Sequence, residues 1–382
     1  MKKVFGCVML CAFVARADPV TTHVTPGAVP EITWATRPLG VYALRRAVNA
    51  EGPFDVQVGS NVTATGYSLS LADTEAASAG SKRYYRVETV SPGYEMYLIV
   101  DVSGGPEAAS WPVTYTNEVP ELLTDPVYRT TKMVLRNLSA GRYMMQGQYD
   151  VTVSRPFYIG VFEVTQAQYT NMVGGANPSI NAGELRPVEN ITYNQLRGSA
   201  AQGGGGWPTN SDVYADSFFG RLRAKTGNVN FDLPTDAQWE YASRAGTVSS
   251  FHNGNNPTNN TDWAAVTNVA RCNFNQADGL GGYTTRHTAV GSYLPNAWGI
   301  YDMHGNITEW VLDWTWGGAP ERAVDPVGPN SGTKRRLRGG AWTSPNTTYL
   351  DNNLRTSDSA PDSVLSATGV IGFRVVLRLP GE

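Results

Sequence analysis

Cysteine is scarce in this chain of 382 residues: Cys7, Cys11 and Cys272 are the whole complement. Charge is scarce too, at 16% Asp, Glu, Lys and Arg, and the histidines are His23, His252, His287 and His304. Each shortage excludes something. Few charges beside 41% hydrophobic and 10% aromatic side chains rule out a disordered tail. With 40 Gly and 23 Pro punctuating the chain, long helical bundles and coiled coils are excluded as well. A formal net charge of −3 argues against nucleic acid as a partner. No stretch approaches the roughly 20 apolar residues that a membrane helix needs, so no membrane span is expected.

What is present begins with an export pattern. Lys2 and Lys3 precede an apolar run from Val4 to Val14, and Ala15-Arg16-Ala17 forms a small-residue cleavage site before Asp18. Residues 1–17 therefore read as a bacterial-type signal peptide, with a secreted or periplasmic mature chain. Loss of Lys2, Lys3 and Arg16 leaves 27 basic against 33 acidic side chains, a balance of −6. Cys7 and Cys11 leave with the signal, so the exported chain has no partner for Cys272 and no internal disulfide. Cys272 is expected as a small buried side chain within Ala270-Arg271-Cys272-Asn273-Phe274.

Residues 18–91 read as a small all-β sandwich. Thr33 to Ala35, Val41 to Leu44, Tyr67 to Leu71 and Arg83 to Thr89 alternate as short strands between turn residues. An early Trp34 with a late Tyr84-Tyr85-Arg86-Val87 resembles fibronectin type III-like modules of exported bacterial proteins, which implies a spacer or adhesion role. Residues 92–127 read as a connecting strand and linker, and 128–382 as a second domain. Its helix starts share one signature, since Thr165-x-x-Gln168, Thr192-x-x-Gln195 and Thr235-x-x-Gln238 all fit a capping box. A fourth helix is expected over Tyr214 to Lys225, stopped at Gly227. Gly203-Gly204-Gly205-Gly206 lacks the Lys-Ser/Thr of a phosphate loop and reads as a flexible loop. The strand Gly372 to Arg378 is suited to pair with Phe157 to Val161.

Seven blocks in the second domain carry a resemblance. They are Phe157-Tyr158-Ile159-Gly160 with Glu163-Val164-Thr165-Gln166, Pro187-Val188-Glu189-Asn190, Leu233 to Ala242, Asn296 to Met303, Gly305-Asn306-x-x-Glu309-Trp310, Arg338-Gly339-Gly340-Ala341-Trp342, and Gly372-Phe373-Arg374. In this order, over roughly 250 residues, they resemble the formylglycine-generating enzyme, or sulfatase-modifying factor, family. The resemblance implies an α+β fold: an elaborated C-type-lectin-like domain with a twisted antiparallel core, flanking helices and much irregular chain stabilised by calcium.

The family oxidises a substrate cysteine with O₂, using copper held by two thiolates after the Gly-Gly motif. In that frame the two positions fall here on Ser344 and Tyr349. Soft Cu(I) needs sulfur ligands, so neither copper nor formylglycine generation is expected and no catalytic residue is assigned. Iron-dependent sulfoxide synthases are relatives too, but the four histidines have no i, i+3 or i+4 spacing. The resemblance implies structural calcium instead. One site would use the carboxylates of Asp302 and Glu309 with the carbonyls of Gly305 and Ile307, a donor set of hard oxygens around a tight glycine turn. A second would use Asn273 and the carbonyl of Phe274, with its later acidic partner ambiguous between Asp278 and the stretch before Tyr283.

The position of the former active site, rimmed by Trp342, Ser344, Asn346, Tyr349, Asn352, Asn353 and Arg355, has aromatic faces, amides and an Arg fork suited to a polar ligand. The sequence thus points to an exported, non-catalytic family member that binds a peptide, protein or glycan in that cleft. Two alternatives stay open: a divergent oxidative tailoring enzyme using another metal and residue set, and a structural component of an envelope complex.

Overall fold

The computed structural model describes residues 31–35, 41–47, 56–63, 68–72, 84–91, 95–256, 266–273, 285–316, 320, 323–344, 359–362 and 367–379. The chain divides into two units, Met1–Met96 and Tyr97–Glu382. The proposed signal peptide lies outside the described residues.

The described residues of the first unit up to Ser91 are all strand. β1 (Glu31–Ala35) pairs antiparallel with β4 (Ser68–Ala72), and β2 (Val41–Ala47) lies between β3 (Val56–Thr63) and β5 (Tyr84–Ser91), antiparallel to both. Leu44 and Val58 face each other across the β2–β3 pair and are both buried, as an alternating strand requires.

The second unit is built on a six-stranded antiparallel sheet. Its strands are β6 (Tyr97–Asp101), β7 (Val113–Thr116), β8 (Lys132–Leu138), β11 (Phe157–Gly160), β12 (Phe231–Asp232) and β17 (Val376–Arg378), in the order β12-β17-β11-β8-β6-β7. Residues 97–127, expected within a connecting strand and linker over 92–127, fall in this second unit. Leu98 and Val100 are fully buried, and β6 hydrogen-bonds to β8, so this segment joins the domain it was expected to precede. The pairing of Phe157 with Arg378 places β17 beside β11, as the alternating C-terminal segment implied.

A hairpin of β9 (Gly141–Met145) and β10 (Tyr149–Val153) follows β8. A second sheet holds β13 (Thr308–Trp314), β14 (Arg335–Arg338), β15 (Ser359–Asp362) and β16 (Ile371–Gly372), with β13 parallel to β16.

The helices are short and begin where their caps dictate. α1 (Gln166–Val173), α2 (Tyr193–Arg197) and α4 (Asp236–Arg244) each start at a Thr whose side chain accepts the N3 amide while the N3 Gln accepts the Thr amide. α3 (Phe218–Thr226) is capped by Ser217 and ends at left-handed Gly227. Phe218 on α3 meets Phe373 edge-to-face at 4.7 Å, and Trp310, Phe219 and Leu377 lie in the same buried cluster.

Much of the remaining chain is irregular and is tied down by buried ion pairs. Arg197 and Arg374 are 0% exposed, each paired with a carboxylate. Charged side chains reach that depth only when paired. One network holds Arg197, Arg223 and Arg378 on Asp232 at 2.8, 2.8 and 3.1 Å. Two of the four glycines at 203–206, expected as a flexible loop, accept from buried arginines. The Gly204 carbonyl accepts Arg197 at 2.9 Å and that of Gly205 accepts Arg335 at 3.0 Å. A Cβ on Gly204 would sit 1.9 Å from the Arg197 carbonyl oxygen. A second network joins Arg338 to Asp236 and Glu240, with Arg244 on Glu240 at 2.8 Å.

Candidate functional site

The segment from Asp302 to Trp310 turns sharply before entering β13. Asp302, Gly305 and Asn306 all have positive φ, at 59°, 75° and 61°. At Gly305 a side chain has no room, because a Cβ would approach the Arg271 carbonyl oxygen to 2.0 Å. The turn presses Asn306 into the core. Its Nδ2 donates to Glu163 at 2.6 Å, its Oδ1 accepts the Thr288 amide at 2.9 Å, and its carbonyl accepts the Trp342 amide at 2.9 Å.

Glu309 is fully buried and engaged on both oxygens. Arg374 donates to Oε2 at 2.6 Å and to Oε1 at 2.5 Å, and Trp239 Nε1 donates to Oε2 at 2.8 Å. Arg374 also donates to the carbonyls of Gly160 and Tyr301, each at 3.1 Å, so one guanidinium ties β11, β13 and the Asp302 turn together. Glu163 completes the cluster and accepts the Ile307 amide at 3.2 Å. Three buried carboxylates thus face one arginine. Burial, then the charges of Asp302 and Glu309, pushes the Glu163 carboxyl well above the usual carboxylate range. Burial likewise pushes Asp302 up to about 6.

For a calcium ion this donor set fits in part. Asp302 Oδ2 accepts the Gly291 amide at 2.7 Å, while its Oδ1 is buried with no partner, an orphaned acceptor of the kind a hard cation satisfies. Glu309 does not fit the ligand role assigned to it, since its oxygens already hold Arg374 and Trp239. Among the described residues, no three Asp, Glu, His or Cys side chains converge as a metal-holding group. Of the second expected site, Asn273 is exposed and its amide donates to the Ser344 carbonyl at 2.8 Å, whereas Phe274 lies outside the described residues.

The Gly339-Gly340 turn leads into the expected cleft. Trp342 is half-buried, with Nε1 donating to the Gly369 carbonyl at 3.3 Å. Ser344 accepts the Ala341 amide on its hydroxyl at 3.3 Å. Asn346, Tyr349, Asn352, Asn353 and Arg355 lie outside the described residues. Cys272 is 0% exposed, packed with Phe251, Val266 and Ala270. His304 is buried as well, its ring stacked on His252 at 4.8 Å.

Two residues of the site had no role in the sequence reading, Glu163 and Arg374. Both stood inside quoted blocks, and each is a lone charge in an apolar run, Phe162-Glu163-Val164 and Phe373-Arg374-Val375. Opposite lone charges inside apolar runs that are fully buried are the signal that could have linked them.

A mixed sheet-and-helix domain, whose irregular chain is held by buried arginine–carboxylate pairs, is the class that fold and site define. Residues 119–379 match the sulfatase-modifying factor enzyme 1-like domain, and the chain belongs to that family. It is 31% identical over 229 residues to chaperone protein LppX of Paenibacillus barcinonensis, covering 51% of this chain and 72% of that protein. It is 34% identical over 155 residues to the formylglycine-generating enzyme of Streptomyces coelicolor, covering 37% and 45% respectively, so it spans less than half of that enzyme. Among solved structures, Treponema denticola variable protein 1 shares the fold with a TM-score of 0.50 at 22% identity, over 65% of this chain and 96% of that one. No helix among the described residues is long and apolar enough to cross a membrane.

Proposed function

We propose that this chain is an exported, non-catalytic member of its family that binds a protein or peptide through the cleft beside Trp342, with the N-terminal β unit as a spacer. The observation that carries the reading is the state of sulfur and hydroxyl groups around the Gly-Gly turn. Cys272 is sealed in an apolar cluster, and Ser344 spends its hydroxyl on its own turn. A two-thiolate copper centre has no second cysteine to draw on once Cys7 and Cys11 leave with the signal. A peptide ligand is preferred over a glycan because a relative covering much of this chain carries the name chaperone. Calcium is proposed at the Asp302 turn as a structural ion, held by the free oxygen of Asp302 and not by Glu309.

The test has two arms. Protein from Asp18 is titrated with Cu(I) and assayed for O₂ consumption with a cysteine-containing peptide; tight copper with peptide oxidation overturns the proposal. A peptide library is then screened in parallel with a glycan array, with Trp342→Ala and Tyr349→Ala as cleft variants. Capture of peptides that both variants weaken, without loss of fold, supports the reading. Capture unchanged in both variants moves the site elsewhere.

A further inference from the structure

On a different part of the second unit, a cavity of about 400 Å³ opens between the N-terminal end of α4 and the end of β17. Its walls are mostly apolar, with Val153, Phe157, Val327 and Leu379 among them. Asn230, Thr235 and Gln238 add polar groups, and two further donors lack partners. Trp207 is 8% exposed, and its Nε1–H has no partner; Nη1 of Arg378 is buried and has none either. Both residues line the cavity, and the Arg378 guanidinium lies 4.8 Å from the Trp207 ring centroid. Buried donors without acceptors are rare in folded proteins and costly.

The charge behind them has one sign. Arg378 shares Asp232 with Arg197 and Arg223, so a single carboxylate faces three guanidinium groups. Arg155 also lines the cavity. The acid at the rim, Asp325, is occupied by the amide and hydroxyl of Ser154.

We propose that this cavity binds a small organic carboxylate, its oxygens accepting from Trp207 Nε1–H and Arg378 Nη1–H and its apolar body lying against Phe157 and Leu379. The cavity falls within the size range of small-molecule sites, and a charge-assisted bond from a single guanidinium suits a carboxylate better than a multiply charged phosphate. The site is separate from the Trp342 cleft and does not depend on the proposed function.

The test is an NMR titration that follows the Trp207 indole N–H, identified by its absence in Trp207→Phe. The probes are phenylacetate, its neutral amide phenylacetamide, and inorganic phosphate. Phenylacetate should give a saturable shift, with the amide binding about tenfold more weakly. Trp207→Phe, which keeps an apolar ring and removes only the donor, should weaken phenylacetate several-fold by calorimetry, and Arg378→Gln about tenfold. Should Arg378→Gln fail to fold because it also frees Asp232, the acid-to-amide ratio on the unaltered protein still decides. No saturable shift, equal binding of acid and amide, or response to phosphate alone each overturns the proposal.

Discussion

Substituting Glu309→Gln tests whether Arg374 or a metal ion owns that carboxylate. The variant keeps the shape and an acceptor for Trp239 Nε1, but it removes the charge that holds a fully buried guanidinium on two bonds of 2.6 and 2.5 Å. Removing one partner of a buried pair costs about 3–5 kcal/mol, because the other charge stays desolvated. Arg374→Met should cost a similar amount, since it leaves Glu309 beside Glu163 and Asp302 without a counter-charge. The double variant Glu309→Gln with Arg374→Met removes both charges. It still strands the carbonyls of Gly160 and Tyr301, at roughly 1–3 kcal/mol each. Its loss should therefore be well below the sum of the two single variants, with a coupling energy of about 2–3 kcal/mol. The assay is urea unfolding followed by tryptophan fluorescence, run in excess calcium and in excess chelator. Equal losses in both are expected. A loss confined to calcium, or single-variant costs under about 1 kcal/mol, would refute the ion-pair account and return Glu309 to the metal.

Two further expectations follow from buried groups elsewhere. Burial and the nearby Asp236 charge raise Asp313 to about 8, so the folded state holds a proton that the unfolded chain releases near the ordinary Asp value. That contribution to stability is complete below about pH 4 and is lost as pH rises through 8, so Asp313→Asn should flatten the dependence of Tm on pH across this window; parallel profiles for variant and wild type would sink the assignment. Gly204→Ala drives a methyl group into the Arg197 carbonyl and should cost more than about 2 kcal/mol by chemical denaturation, whereas a flexible loop would tolerate it within about 0.5 kcal/mol.

The parts of this fold legible in the sequence are those written locally. Each capping box sits within four residues, so Thr165, Thr192 and Thr235 announce their helices without help from the rest of the chain. The β11–β17 pairing was legible because both segments have the composition of buried strands and the termini of a domain often meet. Less was written for the site. Glu309 and Arg374 lie 65 positions apart, and Glu163 bonds to Asn306 across 143, so their partnership exists only after the sheets assemble. β12 has two residues, too few for any pattern, and β3 carries Gly59 and Asn61, which read as turn residues. The glycine run at 203–206 misled for a related reason. Glycine marks both slack chain and close approach, and only the arginines folded against it distinguish the two.

The position of β17 sets an order of events in the life of the chain. It lies between β12 and β11, inside the main sheet, yet residues 376–378 are the last of that sheet to leave the ribosome. Until they emerge, β11 and β12 have an empty slot between them, and Asp232 lacks one of its three arginines. The main sheet therefore cannot close before β17 is in place. β17 is thus the latch of the sheet, seated only after every other strand has been made.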